Sequence, residues 1–191
     1  MASVSPVPVP AAPLYIDAMM PAPTSRLFIA LLRGDAGRDE MAALREAWTW
    51  PRPAALVMTS RLHLTLHFLG DVAVEHIAPL VPALAVPFAP FALRLDRAVL
   101  WPTGQGIAVL EPEAIPEALR ALQAALASAL RRAGIAFDER PYRPHVTLAR
   151  RATGAVAPAA ARHVAWTIHG YHLMSCAPAA DGGYTTLHTY L

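Results

Sequence analysis

Cysteine is almost absent. Cys176 stands alone, so no disulfide can form within the chain and no cysteine-built metal site is possible. That favours a reducing compartment, here the cytoplasm. Cys176 follows an apolar, strand-like run and reads as a bystander thiol. Long apolar runs are missing as well. Hydrophobic residues fill 55% of the 191 positions, many of them alanine. Even so, no stretch of about 18 residues runs free of charge and proline, which argues against a membrane span. Charged residues are sparse at 16% and nearly balanced, with a net charge of +2. Length and apolar content suit one domain, or two small lobes around a shared core. No metal-ligand spacing is present. His63 and His67 stand at i and i+4 on a predicted strand, about 13 Å apart, too far to share an ion. His76, His163, His169, His172 and His188 are scattered and read as surface residues.

What the chain does contain begins with proline. Residues 1–25, with Val7 to Pro10, Pro13, Pro21 and Pro23, read as a flexible or polyproline-type arm without the basic region of a secretory signal. Residues 26–191 carry the fold. Leu27 to Leu32, Leu62 to Leu69, Phe91 to Leu100, Ile107 to Leu110, Arg143 to Arg150, Trp166 to Ser175 and Tyr184 to Leu191 read as strands. Thr103-Gly104-Gln105-Gly106 and Gly182-Gly183 mark turns. Asp39 to Trp48 has helical spacing. Ile115 to Ala133 is the clearest helix, striped by Ile115, Leu119, Leu122, Leu126 and Leu130, with Glu117 near its start, Arg131 and Arg132 near its end, and Gly134 after it. Irregular alternation of strands and helices with frequent hairpin signals predicts an α+β fold with antiparallel sheets.

One repeat stands out. His63-Leu64-Thr65-Leu66 recurs 82 residues later as His145-Val146-Thr147-Leu148, both copies in strand-like runs. Side chains alternate faces along a strand. His63, Thr65 and His67 therefore share one predicted face, with Leu62, Leu64, Leu66 and Phe68 on the other. If two similar lobes face each other, two imidazoles and two hydroxyls converge on one cleft. Such a set suits phosphodiester displacement. Attack on a cyclic phosphate needs a base for water and an acid for the leaving ribose oxygen, and histidine serves either role near neutrality. Threonine hydroxyls can donate to the phosphoryl oxygens. Between Arg131 and Arg151, six arginines stand against Asp138 and Glu139, a local charge of +4 that fits a phosphate-bearing partner.

The paired motifs carry a resemblance. Arg26-Leu27-Phe28-Ile29-Ala30-Leu31 resembles the opening strand of the 2H phosphoesterases, specifically the bacterial RNA 2′,3′-cyclic phosphodiesterases also called 2′-5′ RNA ligases. His63-Leu64-Thr65-Leu66-His67-Phe68-Leu69-Gly70 resembles their first signature and Arg143-Pro144-His145-Val146-Thr147-Leu148-Ala149-Arg150 their second. Ser175, Gly182-Gly183, Tyr184 and Leu187 fit the closing hairpin. The resemblance implies a bilobal fold with pseudo-two-fold symmetry, two antiparallel sheets with outer helices, and a central cleft. It implies that His63 and His145 act as acid and base, that Thr65 and Thr147 bind phosphate, and that no metal or cofactor is required. Arg150 and Arg143 are the further phosphate-binding candidates, and Tyr142 could stack a base; Trp101 reads as packing, and His67 as a rim or structural residue. The implied partner is RNA, or a nucleotide, ending in a 2′,3′-cyclic phosphate, opened to a 2′-phosphate by a monomeric enzyme. Some members of that family also ligate 2′-5′ linkages reversibly. Pro79, Pro82, Pro87 and Pro90 depart from the family pattern, so the helix expected after Asp71 is short or broken.

Two other functions fit the same residues. One keeps the chemistry and changes the substrate, for instance to a cyclic ADP-ribose phosphate or a 2′-5′ oligoadenylate. The other is an inactive RNA-binding module, against which both intact His/Thr pairs argue: a pure binder has no need of two titrating groups.

Overall fold

The structure is a computed structural model and describes residues 22–159, 163–178 and 183–191. Most of the Pro-rich arm, and Gly182 of the last turn, lie outside the described residues. Thr24 and Ser25, assigned to the arm, instead open the first strand, β1 (Thr24–Leu31). Leu27, Ile29 and Leu31 of β1 enter the main core, while Phe28 and Ala30 form a small cluster with Met174 on the opposite face. The first helix, α1 (Asp35–Glu46), starts four residues before the predicted Asp39 and buries Met41 and Leu44. A short β2 (Ala55–Leu56) precedes β3 (Leu64–Ala73), which carries the first motif. The helix after it, α2 (Ile77–Ala83), has only seven residues. Pro79 is tolerated in its first turn, where no intrahelical donor is needed, but Pro82 withholds one and the helix stops.

Two runs predicted as single strands are each split. Phe91 to Leu100 becomes β4 (Phe91–Leu95) and β5 (Arg97–Trp101). Asp96 separates them, its carboxylate accepting the Glu113 amide at 2.7 Å as the chain crosses between sheets. Trp166 to Ser175 becomes β8 (Val164–Ile168) and β9 (Tyr171–Pro178), divided at Gly170. A Cβ there would lie 2.2 Å from the Tyr190 carbonyl oxygen, so only glycine lets the final strand pass. The predicted hairpin forms, β5 pairing with β6 (Ile107–Glu111). The long helix α3 (Glu117–Arg132) buries Leu119, Leu122, Leu126 and Leu130, each no more than 4% exposed. Each such leucine contributes about 1.5–3 kcal/mol. Gly134, at φ 68°, ends α3, and the Ile135 amide donates back to the Leu130 carbonyl at 3.0 Å.

Antiparallel pairing joins the strands into an eight-stranded sheet, ordered β10-β9-β1-β3-β7-β6-β5, where β7 is Val146–Arg150 and β10 is Tyr184–Tyr190; β2 pairs with β7, and β4 with β8 as a separate small sheet. The large sheet is two halves joined at one point. Between β3 and β7 the only register pair is Leu64↔Val146. The halves also exchange short segments. The Val57 amide donates to the Leu148 carbonyl at 2.8 Å, and the Asp138 amide to the Phe68 carbonyl at 3.0 Å. Each motif is thus reached by chain that first crosses to the other half. Met41 and Leu44 of α1 and the leucine stripe of α3 pack into the main core on one side of this sheet, and the Phe28–Met174 cluster lies on the other.

Strand alternation holds up to the threonine of each motif and then fails identically in both. Leu66 is unpaired between Thr65 and His67, and Leu148 between Thr147 and Ala149. These are β-bulges, which put two successive residues on one side and re-aim the side chains beyond them. His67 therefore leaves the predicted shared face and is buried, 2% exposed, while Phe68 is turned outward.

Candidate active site

The single β3–β7 pair fixes the geometry of the motifs. Neighbours of Leu64 and Val146 point to the face opposite theirs, and in an antiparallel register His63 stands across from Thr147 and Thr65 across from His145. The four residues singled out in the sequence are thereby brought together around one local two-fold axis.

Both imidazoles are held alike. His63 Nδ1–H donates to the Arg61 carbonyl at 2.7 Å, and His145 Nδ1–H to the Arg143 carbonyl, also at 2.7 Å. A carbonyl can only accept, so these bonds set the tautomer and leave each Nε2 as the unprotonated nitrogen of the neutral ring. In the neutral ring of His63 the Thr65 hydroxyl donates to Nε2 at 3.1 Å. Each ring also rests on aromatics: His63 lies 5.0 Å from Phe28 and 5.4 Å, edge-on, from Tyr184, and His145 lies 4.4 Å from Trp101. Those aromatics carry arginines in turn, Arg61 at 5.2 Å from the Tyr184 centroid and Arg143 at 3.9 Å from that of Trp101. Each half thus repeats one unit: arginine, histidine two residues on, and an aromatic ring touching both.

One half has a further support. Glu111, 5% exposed, accepts the Trp101 indole N–H at 3.1 Å and the Arg143 Nε–H at 3.2 Å, and pairs with Arg97 at 3.6 Å. It clamps the indole and the guanidinium that flank His145.

Electrostatics reflect this packing. Burial pushes the pKa of His63 below the ordinary 6.5; the Arg61 carbonyl opposes this, while His145 and Arg150 add to it. Burial likewise lowers His145; the Arg143 carbonyl and Glu111 oppose it, and the Arg143 and Arg150 charges reinforce it. Arg150 is exposed and acts on both imidazoles, which places its charge at the cleft. The cationic side of Arg143 is shared between Glu111 and Trp101, so it shapes the cleft wall as well as its charge. Thr147 is half-buried on β7.

A cavity of about 280 Å³ opens beside this centre, lined among others by Thr65, His145, Tyr142, Trp101 and Phe68. Tyr142 contributes its ring, while its hydroxyl is buried without a hydrogen-bond partner among the described residues; burial raises that phenol's pKa. His67 is structural: its Nε2–H donates to the Gln123 carbonyl at 2.9 Å, and Phe137 packs edge-on at 5.0 Å. His172, a surface residue on the sequence reading, is half-buried and pairs through Nδ1 with the Thr189 hydroxyl at 3.0 Å.

Sequence reading missed Arg61, Glu111, Phe28 and Tyr184 as parts of the site. Arg61 was within reach, since the repeat extends upstream as Arg61-Leu62-His63 and Arg143-Pro144-His145. Glu111 carries no local mark; its role depends on the β5–β6 pairing that sets it opposite Arg97.

A bilobal α+β fold with a histidine–threonine pair from each half facing one cleft defines a 2H phosphoesterase. Residues 34–176 match the profile of the 2′-5′ RNA ligase superfamily. The chain is 33% identical over 132 residues to an RNA 2′,3′-cyclic phosphodiesterase of Escherichia coli strain K12, spanning 69% of this chain and 74% of that protein. It is 38% identical over 102 residues to an RNA 2′,3′-cyclic phosphodiesterase of Geobacillus stearothermophilus, spanning 48% of this chain and 31% of that one. Among solved structures, E. coli LigT complexed with 3′-AMP superposes with a TM-score of 0.74 at 27% identity, covering 88% of this chain and 98% of LigT. The chain belongs to the 2′-5′ RNA ligase superfamily.

Proposed function

We propose that this protein hydrolyses 2′,3′-cyclic phosphate ends of RNA to 2′-phosphates, with His63 and His145 moving the protons. The observation that carries the reading is the matched pair of histidines, each tautomer-locked through Nδ1 to the carbonyl two residues back, on either side of the one β3–β7 contact. The two bacterial relatives are RNA 2′,3′-cyclic phosphodiesterases, which supports the substrate class.

The chemistry balances without further parts. One neutral imidazole takes a proton from water through Nε2 as the water oxygen bonds to phosphorus. The P–O3′ bond breaks, and the other imidazole, protonated, gives its proton to the departing 3′-oxygen. The Thr65 and Thr147 hydroxyls and the Arg150 guanidinium face the phosphoryl oxygens as charge builds on them. The reaction leaves the second histidine neutral and the first protonated, and exchange with solvent resets the pair. The protein works as a monomer in the cytoplasm in this reading, and Tyr142 and Arg143 border the bound nucleotide.

In-line displacement between two fixed imidazoles expels one ribose oxygen only, provided the ribose binds one way. Digestion of cytidine 2′,3′-cyclic phosphate, with the isomers resolved by phosphorus NMR, should therefore give the 2′-phosphate. A mixture of isomers, or the 3′-phosphate, would refute the proposed ribose orientation.

A further inference from the structure

A second cavity, of about 270 Å³, opens where β1 ends, apart from the residues assigned to the reaction. Leu32, Arg33, Thr167, His169 and His172 line it, and among the described residues no acidic side chain does. It borders the face of the sheet that carries the motif histidines. Phe28, Ala30 and Met174 cluster on that face, Leu32 packs against them, and the Phe28 ring stands 5.0 Å from that of His63. Ala30 pairs with Thr65 on one side and with His172 on the other. Residues paired across a sheet share a face, so Thr65, Ala30 and His172 form one row. Two strand spacings separate the ends of that row, about 10 Å. In the other half Val109 pairs with Thr147 and with Val99, so a valine stands where His172 stands here.

The donors around this cavity are held in place. His172 is half-buried, and its Nδ1 meets the Thr189 hydroxyl at 3.0 Å. Among the described residues its Nε2 has no hydrogen-bond partner. Arg33 lies across the first turn of α1. Its Nη1 donates to Glu40 at 2.5 Å, and a Cβ at Gly37 would fall 2.2 Å from its Cδ. Among the described residues its Nε and Nη2 carry no bond. His169 is exposed. A fixed guanidinium, two imidazoles and a hydroxyl, with no carboxylate on the wall, suit a phosphate group.

We infer that this cavity binds a backbone phosphate of the RNA strand that leads to the cyclic end. The inference rests on the cyclic phosphodiesterase reading and gives the strand a direction: away from the reacting centre, over β1 and β9. A phosphate oxygen at His172 selects the tautomer in which the Thr189 hydroxyl donates to Nδ1 and Nε2 carries the hydrogen. A nucleoside 2′,3′-cyclic phosphate has no second phosphate and leaves the cavity unused.

The test uses a cytidine trinucleotide ending in a 2′,3′-cyclic phosphate, and the same trinucleotide with neutral methylphosphonate linkages. Cytidine 2′,3′-cyclic phosphate is the third substrate. By kcat/KM the wild type should prefer the charged trinucleotide to the neutral one. Arg33→Ala combined with His172→Ala should lower that preference by roughly 10- to 100-fold, mainly through KM. The ratio of the two trinucleotides does not depend on how much of the enzyme is folded. No preference in the wild type, or an unchanged preference in the double variant, would overturn the subsite while leaving the phosphodiesterase reading intact. A wild type that opens none of the three substrates would overturn that reading itself.

Discussion

If His63 and His145 move the protons, as proposed, their burial sets the pH dependence of turnover. Acid–base catalysis needs one imidazole neutral and the other protonated, so kcat/KM tracks the singly protonated pair. Burial holds both pKa values below 6.5; Arg150 reinforces the shift at each ring, His145 adds to it at His63, and Arg143 adds to it at His145. The active form of the free enzyme therefore peaks below pH 6.5. Above the higher of the two values it falls tenfold per pH unit, so at pH 8 no more than about 3% of the pair still holds a proton. Below the lower value both rings are charged and no base remains. A bound phosphate ester favours imidazolium, so the profile of kcat should lie at higher pH than that of kcat/KM. Glu111 gives a second handle. Its charge opposes the lowering of His145, so Glu111→Gln should move the alkaline limb of kcat/KM to still lower pH. Initial rates on cytidine 2′,3′-cyclic phosphate between pH 4.5 and 9, for wild type and Glu111→Gln, measure both effects. A kcat/KM that climbs through pH 7 to a plateau above 8 would refute the protonation scheme.

Leu126→Ala, at a fully buried position of the α3 stripe, should destabilise the fold by about 2–5 kcal/mol in urea denaturation; a loss under about 1 kcal/mol would mean that α3 is not packed as described. Turnover should be unchanged in excess EDTA, since among the described residues no three His, Cys, Asp or Glu side chains gather as a metal site; loss on chelation, restored by a divalent ion, would contradict this. The KM for an oligonucleotide should rise with salt, and Arg150→Ala should flatten the plot of log KM against log salt by about 0.7 if that guanidinium meets the RNA backbone; an unchanged slope would remove Arg150 from the binding surface.

The parts of the molecule that local sequence encodes were legible in it. α3 announces itself through a leucine every third or fourth position, a charge bias at each end and a terminal glycine, all satisfied within one helix. The pairing of the two histidine motifs was legible because the fold contains one device twice, and duplication of His-x-Thr-Leu is hard to produce by chance. What escaped depends on partners distant in the chain. Nothing in Leu66 or Leu148 marks a bulge; each arises where β3 and β7 must match their neighbours, β1 and β6. Strict alternation consequently misassigned His67 and Phe68. The splits fall at Asp96, an acid set between Arg94 and Arg97, and at Gly170, but their meaning, a passage between two sheets, is topological.

The central claim is that two histidines, one from each half, act as a single catalytic unit. His63→Ala, His145→Ala and the double variant, assayed for kcat on cytidine 2′,3′-cyclic phosphate, test it most directly. Each single change should cost roughly 10²–10⁴ in kcat. The double variant should lose far less than the product of the two, because removing either partner already disables the other. A single variant with near-wild-type kcat, or losses that multiply fully in the double, would contradict the two-histidine account.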